Sequence, residues 1–372
     1  MSCPTTRTHP LCRPPNHQPP IPRWRLSIPD QVKQVFVSYI GIEEHGSSEA
    51  ATYAKHKVVR AIQHWITASF AVSESFTTIR DSHDLQPPTT IWVCYWSDPA
   101  HHTHALSTLD LRTLHHTLDT SIRPSIGLWH ETFATSTQRL ETNYSGLDYL
   151  PGLAKLSGTT TASHDLSTYW GAARDRIPDS AHDLFPRPAP AAAVRQSPPH
   201  PLPQGLGQHL KGTNRGIANM VHIRSGQYWQ NCGQRETDAY ETKLEPSLRA
   251  GMQYLSGNKA KTGTLCMRYM QNEHVAIRNG DGDGGRVDRK ESCGAGFLTN
   301  LEDLESWAKS HKSHVKIWSG AMAHYKAFGE ERKFRTWHEV CVVKAGDATF
   351  EYVNCLPSTG VIESVELDVE NL

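Results

Sequence analysis

Apolar and polar positions predict a similar order of elements in each half of the chain. In the first half, runs of β-branched and aromatic residues predict strands, and apolar residues spaced three or four apart predict helices. The predicted elements are a strand at residues 34–43, a helix at 48–70, a strand at 90–96, and helices at 106–118 and 126–144. The strand at 34–43 (QVFVSYIGIE) is mostly apolar on both faces, which indicates a position inside a packed sheet.

The second half repeats strand, helix, strand and helix. The predicted elements are a strand at residues 217–224, a helix at 236–255, a strand at 264–270, a helix from Thr299, and a hairpin of strands 336–343 and 349–354. Pro246 predicts a kink in the first of these helices, and Thr299 with Glu302 forms a capping-box pattern. The repeated order predicts an α+β protein with two units, at about 30–180 and 206–372, each an antiparallel sheet with helices on one face.

Two proline-rich segments interrupt this pattern. Residues 1–23 contain no apolar stretch typical of a secretion signal and are predicted to be a disordered tail. Residues 186–204 are predicted to be an exposed insertion between the halves, and residues 280–285 (GDGDGG) a turn-rich loop. The globular domain is therefore expected at 24–372.

Composition excludes several classes of partner. Lys plus Arg and Asp plus Glu both number 38, and this zero net charge argues against a nucleic-acid-binding protein. No apolar run approaches the roughly 18 residues that a membrane span needs. None of the eight cysteines forms a CxxC pair, and Cys94, Cys266 and Cys341 lie in apolar runs. We therefore expect free core thiols and a cytoplasmic protein.

Histidines supply the first candidate chemistry. His311, His314 and His324 lie in residues 310–328 (SHKSHVKIWSGAMAHYKAF), which are predicted to become helical. A helix fixes an imidazole, and apolar neighbours exclude water, so such a histidine can ligate haem iron or simply pack in the core. His338 lies on the predicted strand 336–343, where partial burial would suit a general acid or base, or a histidine bonded to the backbone.

Three further polar residues are candidates. Ser225 follows the strand 217–224 and would donate to a ligand oxygen or form part of a turn. Arg176, in YWGAARDRIP, offers a fork of donors suited to an oxygen that gains negative charge, or pairs with a nearby aspartate. Glu141, in RLETNY, is a candidate carboxylate or a solvated helix residue.

Five segments in order resemble the haem-containing aldoxime dehydratases. They are YWGAARDRIP, NMVHIRSGQYW, ETKLEPSLRAGMQYL, the stretch from LEDLESWAKSHKSH to Phe328, and WHEVCVV followed by FEYVNCLPSTG. The resemblance extends from about Trp24 to Val365, and the proline-rich segments are similar to those of fungal members, including phenylacetaldoxime dehydratases. It implies two duplicated ferredoxin-like units that form a dimeric α+β barrel with surrounding helices.

The resemblance also implies a reaction and a site. An aldoxime, R–CH=N–OH, would bind through nitrogen to the ferrous iron of haem b and lose water to become a nitrile. His314 would be the axial iron ligand, with His311 and His324 as alternatives. His338 would be the general acid and base, Ser225 and Arg176 would hold the hydroxyl, and Glu141 would affect activity. The alternatives are a chlorite-dismutase-like or peroxidase-type haem enzyme, or a haem carrier or sensor. The preference for aromatic or aliphatic aldoximes stays open.

Overall fold

A computed structural model describes residues 7–79, 87–187, 202–275 and 286–372 of the chain. Within these ranges fourteen strands form one antiparallel sheet. The strands are β1 (Arg23–Ser27), β2 (Gln34–Glu44), β3 (Val72–Thr78), β4 (Thr89–Trp96), β5 (Ile126–Ser136), β6 (Leu140–Tyr144), β7 (Thr160–His164), β8 (Gln208–Thr213), β9 (Asn219–Tyr228), β10 (Thr264–Val275), β11 (Arg286–Leu298), β12 (Arg335–Lys344), β13 (Ala348–Val353) and β14 (Asp368–Asn371).

Helices cover parts of this sheet. They are α1 (Glu49–Ala68), α2 (Pro99–Thr108), α3 (Leu111–His116), α4 (Ala172–Arg176), α5 (Gln234–Ala239), α6 (Glu245–Gly257), α7 (Lys259–Thr262), α8 (Leu301–Ser310) and α9 (Lys312–Phe328). A π-helical turn at Tyr240–Leu244 joins α5 to α6 and ends two residues before Pro246, so the predicted irregularity in this helix is confirmed. None of the helices in the described ranges is long and apolar enough to cross a bilayer.

The sheet has the strand order β14-β8-β13-β5-β2-β4-β3-β10-β11-β9-β12-β6-β1-β7. Two segments of the chain, β2 to β5 and β9 to β12, each run strand, helix, strand, strand, helix, strand. In each segment the first strand lies between the third and the fourth, and the two groups meet where β3 pairs with β10. The predicted α+β class, with antiparallel pairing, is confirmed.

The sheet is so strongly curved that strands far apart in the sheet order pack into one core. Phe133 of β5 lies 4.6 Å from the His222 ring of β9 and 5.7 Å from the Phe297 ring of β11, measured between ring centroids. Five strands separate β5 from β9 in the sheet order, so this contact requires strong curvature. Trp337 and Arg224 are fully buried. Because side chains alternate along a strand, their neighbours His338 and Ser225 face the opposite side of the sheet.

One predicted helix is wrong, and a second is divided into two. Residues 126–144 form strands β5 and β6, not a helix. Polar side chains of this segment are buried and paired. Glu131, for example, pairs with Arg268 at 2.6 Å. Residues 106–118 belong to two short helices, α2 and α3, which Asp98 and Asp110 cap separately.

The predicted hairpin is also wrong, although its two strands exist. β12 pairs with β6 and β9, whereas β13 pairs with β5 and β8. The Asn214 side chain holds the turn between them, because its amide donates to the Lys344 carbonyl and accepts from the Gly346 and Ala348 amides. At the start of α8, Asn300 rather than Thr299 is the capping residue.

The N-terminal segment makes specific contacts from residue 7 onward. The Cys12 and Arg13 amides donate to the Asp175 carboxylate at 3.0 and 3.1 Å, and a His17 ring nitrogen lies 2.8 Å from the Ser167 carbonyl oxygen. A disordered tail up to residue 23 would not make these bonds, so that expectation does not describe residues 7–22. Residues 1–6, 188–201 of the predicted insertion and the predicted loop 280–285 lie outside the described ranges.

Candidate active site

The register of the sheet aligns four positions in one row. Ser225 of β9 lies opposite Gly294 of β11 on one side and His338 of β12 on the other. His338 in turn lies opposite Asn143 of β6. Directly opposed residues of antiparallel strands present their side chains on the same face, at a spacing of about 5 Å. The row therefore places a hydroxyl, an imidazole and an amide side by side.

This row forms one wall of a cavity of 330 Å³. Helices α6, α8 and α9 form the opposite wall, which is largely apolar. Gly294 helps to keep the space open, since a Cβ atom there would lie 2.6 Å from Met252 Sδ. Ser225, His314 and His338 all line this cavity, so the structure brings together three residues that are far apart in the sequence.

His314 projects from the first turn of α9 on the helical wall. The His311 ring caps this helix by accepting from the Ser313 amide at 3.3 Å. His314 packs against Trp307 of α8, with 4.9 Å between ring centroids. Burial lowers the pKa of His314 to about 4, so the imidazole is neutral at pH 7. The ring interacts with the Ala308 carbonyl, and its Nδ1 is buried without a well-formed hydrogen bond to the described residues.

The alternative histidines are engaged elsewhere. His311 stacks on Tyr254, with 3.7 Å between ring centroids, and its Nδ1 lies 2.7 Å from Ser313 Oγ. His324 Nε2 lies 3.2 Å from a Glu236 carboxylate oxygen. Neither ring is among the described residues that line the cavity. The geometry thus favours His314 among the three predicted ligands.

A buried ion pair contacts the His338 ring and holds it in place. Arg176 and Glu141 form a two-point contact, with Nε to Oε2 at 2.7 Å and Nη2 to Oε1 at 3.0 Å. His338 Nε2 lies 2.8 Å from Arg176 Nη2 and 3.0 Å from Glu141 Oε1. Burial alone would raise the pKa of Glu141, but Arg176 and His338 together lower it to about 2. The carboxylate is therefore ionised at neutral pH.

Arg176 contacts Glu141, His338 and the backbone. Its Nη1 donates to the Leu166 carbonyl at 2.5 Å, and its other donors meet Glu141 and His338. Ser225 lies in the cavity wall, whereas Arg176 is not among the described lining residues. The neighbouring Arg174 pairs with Glu305 at 2.6 Å, not with the nearby aspartate that was the alternative for this segment.

Sequence reasoning missed Asn143 and Arg23, which also line the cavity. Asn143 is 6% exposed, and its Oδ1 has no hydrogen-bond partner among the described residues. Asn143 lies two residues after Glu141, inside the segment that was mistaken for a helix. A correct assignment of β6 would have placed both residues on one face, because they are two apart on a strand.

These features define a class of protein. A neutral histidine on a helix faces an imidazole held by ionised groups on a sheet, across a largely apolar cavity, as expected of an enzyme with a histidine-ligated haem. Comparison with known proteins agrees. The family model of haem-containing dehydratases matches residues 38–361, and the chain belongs to this family.

Relatives and solved structures match over nearly the whole chain. An aliphatic aldoxime dehydratase of Pseudomonas chlororaphis is 30% identical over 97% of this chain and 96% of its own length. A phenylacetaldoxime dehydratase of Bacillus sp. (strain OxB-1) is 26% identical over 95% of this chain and 94% of its own. A crystal structure of an aldoxime dehydratase in complex with butyraldoxime is 25% identical, with a TM-score of 0.76 over 97% of this chain and 94% of that one.

The residues of the cavity fit the haem that the family implies. His314 offers a neutral ring beside the Ala308 carbonyl, and a metal-ligating histidine usually directs its other ring nitrogen to such a carbonyl. Apolar side chains such as Leu248 and Ile317 suit the faces of a porphyrin. His314 would therefore hold the iron, and His338 and Ser225 would be available to a substrate in the same cavity.

Proposed function

We propose that this protein dehydrates aldoximes to nitriles, R–CH=N–OH to R–C≡N and water, with haem b in the ferrous state. One observation carries the proposal. His314 and His338 line the same cavity from opposite walls, and Ser225 lies directly beside His338. Membership of the haem-containing dehydratase family and the similarity to aldoxime dehydratases support the same reaction.

Haem held by His314 would supply an iron that binds the oxime nitrogen and donates electron density to it. The side chains must then help the hydroxyl to depart, since hydroxide is a poor leaving group from nitrogen. The Ser225 hydroxyl would donate to the oxime oxygen and hold it beside His338.

His338 would carry the proton in both directions. Its Nε2 is engaged by Glu141 and Arg176, so Nδ1 is the atom that would serve the substrate. Protonated His338 would give its proton to the oxime oxygen as the N–O bond breaks, which releases water. The neutral ring would then take the proton from carbon as the third C–N bond forms. The two transfers leave His338 unchanged, so no other reactant is consumed.

Glu141 and Arg176 would act through His338. Because Glu141 and Arg176 both lie within 3.0 Å of His338 Nε2, they would fix the orientation of the ring. This replaces direct binding of the substrate hydroxyl by Arg176 with a positioning role.

We further propose that the two repeated segments are ferredoxin-like units forming an α+β barrel, and that the protein is a homodimer. The shared order of neighbouring strands in the two segments supports the first point. Trp170 and Trp318 support the second, because they are 42% and 40% exposed and lie 6.2 Å apart. Sedimentation of the haem-loaded protein measures the oligomeric state.

The decisive test is nitrile formation per bound haem under reducing conditions. His338→Asn should retain haem but lose about 10²-fold or more in turnover, as expected when a general acid is removed. His324→Asn is the matched control, because His324 is also a carboxylate-bound histidine but lies outside the cavity wall. Near-normal turnover per haem in His338→Asn would refute the assignment. Peroxide-dependent oxidation without nitrile formation by the unaltered protein would refute the reaction.

A further inference from the structure

Arg23 is a buried cation without a carboxylate partner. It is 9% exposed and lines the cavity. Its Nη1 donates to Thr336 Oγ1 at 3.2 Å and its Nη2 to the Tyr325 hydroxyl at 3.1 Å, both neutral acceptors. Its Nε is buried and has no hydrogen-bond partner among the described residues.

A second guanidinium reinforces this charge. Arg332 is 7% exposed, lies 5.0 Å from the Tyr325 ring centroid, and donates to the carbonyls of Gly329 and Ser145. Its Nε also lacks a partner among the described residues. Burial alone would raise the pKa of Tyr325, but Arg23 and Arg332 contribute to lowering it, which reports the positive potential at this hydroxyl.

Other buried arginines of the described chain are paired differently. Arg224 meets Glu74 at 2.7 Å, Arg268 meets Glu131 at 2.6 Å, and Arg176 meets Glu141 at 2.7 Å. No carboxylate of the described residues lies within 4 Å of either Arg23 or Arg332. A buried charge without a counter-charge is strongly destabilising, so a bound anion would compensate it.

From this geometry we propose that Arg23, with Tyr325 and Thr336, forms a carboxylate-binding site at one end of the cavity. Arginine suits a carboxylate because its planar fork makes two parallel hydrogen bonds. The apolar remainder of the cavity requires that the anion be carried on a larger apolar or planar molecule.

The position of the site relative to His338 sets the length of that molecule. Thr336 precedes His338 by two residues on β12, which places the two positions about 7 Å apart along the strand. A carboxylate on an aldoxime with its reactive group at His338 would therefore be several bonds from the oxime carbon. A propionate of bound haem is the other source of the same chemistry.

The first experiment tests a substrate carboxylate and rests on the proposed function. It compares two aldoximes of the same shape. They are 4-carboxybenzaldoxime and its uncharged analogue, 4-carbamoylbenzaldoxime. If Arg23 binds the substrate carboxylate, Arg23→Met should lower kcat/KM for the acid relative to the amide by roughly 10- to 100-fold, with haem retained. Arg23→Lys, which keeps the charge but loses the fork, should fall between. Failure of the unaltered protein to turn over either compound would count against the function itself.

The cofactor arm needs no turnover. If Arg23 binds a haem propionate, Arg23→Met should speed the transfer of haem to apomyoglobin and leave the acid-to-amide ratio unchanged. In that case haem dimethyl ester, which lacks the carboxylates, should leave the unaltered protein and the variant at equal rates. Arg25→Met is the control, because Arg25 lies two residues away on the same strand but is exposed.

Either pattern supports a carboxylate at Arg23 and identifies its source. An Arg23→Met protein with both an unchanged ratio and unchanged haem transfer would overturn the inference. Equal effects of Arg25→Met would also overturn it, since they would reflect the loss of a surface charge rather than of this site.

Discussion

Replacing Glu141 by glutamine tests whether the buried ion pair behind His338 stabilises the fold. The Glu141→Gln side chain keeps the shape of glutamate but removes its charge. Arg176, with a side chain 3% exposed, would then be left without its ionic partner. Breaking one side of a buried pair costs more than the pair itself contributes, because the remaining charge stays desolvated.

The pKa of Glu141 gives the size of the expected effect. It is lowered from 4.5 to about 2, a difference of about 2.5. At 1.36 kcal/mol for each pKa unit, ionised Glu141 contributes about 3 kcal/mol to the free energy of unfolding. Because the pKa is depressed in the folded protein, this contribution is complete above about pH 4.5 and is lost as the pH falls towards 2. The variant should therefore be weakened most at neutral pH.

The assay is urea unfolding of the haem-loaded protein at pH 7, followed by circular dichroism and by haem absorbance. Glu141→Gln should lose about 3–5 kcal/mol. Glu305→Gln is the matched control, since its partner Arg174 is on the same short helix but the pair is partly exposed. The control should lose at most about 1 kcal/mol. Equal losses in the two variants at pH 7 would refute the reasoning, as would a gap between them that does not narrow towards pH 3.

Three other outcomes follow from the same contacts. His314→Ala should give haem-poor protein, measured by the haem-to-protein absorbance ratio, whereas His311→Ala should keep full haem; the reverse result would reassign the ligand. Ser225→Ala should stay red but turn over aldoxime poorly, because it removes a donor to the oxime oxygen and no iron ligand; haem loss with normal turnover per haem would make Ser225 structural. Deleting residues 1–17 should lower thermal stability more than deleting residues 1–6, because Cys12, Arg13 and His17 hold the segment that carries Arg176; equal melting temperatures would show that these contacts are dispensable.

The sequence predicted the elements whose pattern depends on local neighbours. Strands β2 and β4 and helix α1 lie within two residues of their expected bounds, because their apolar residues are dense and Ser48 caps the helix. Residues 126–144 failed for a non-local reason. Their polar side chains are buried against partners from distant strands, as His130 is against Ser38 and Glu131 against Arg268. A pattern of polar positions cannot distinguish solvent from such partners.

Only some residues of the candidate site were predicted from the sequence, for a similar reason. The residue pattern made His314 and His338 candidates with structural alternatives, and the resemblance to the haem-containing aldoxime dehydratases supplied their expected roles. Arg23 offered no such signal, since nothing in its neighbourhood along the chain shows that it is buried beside Tyr325, 302 residues away. Its unpaired charge becomes visible when the strands β1, β6 and β12 are side by side.

Side chains fill the space under the helices of the first repeated segment, which explains why the candidate site lies in the second. The first segment also has a serine and a histidine on the helix-covered face, since His130 Nε2 lies 3.0 Å from Ser38 Oγ. There, however, the Trp65 ring packs 6.4 Å from His130, and the Trp65 indole donates to the Ala105 carbonyl at 2.9 Å.

In the second segment the corresponding face carries Gly294 and Ser225, and small residues such as Ala308 and Ala321 line the helical wall. Burial lowers the pKa of His130 to about 4, whereas the side chain of His338 remains 27% exposed. The two segments therefore share an order of strands but differ in side-chain volume. That difference in volume leaves the second segment with the 330 Å³ cavity that His314 and His338 line.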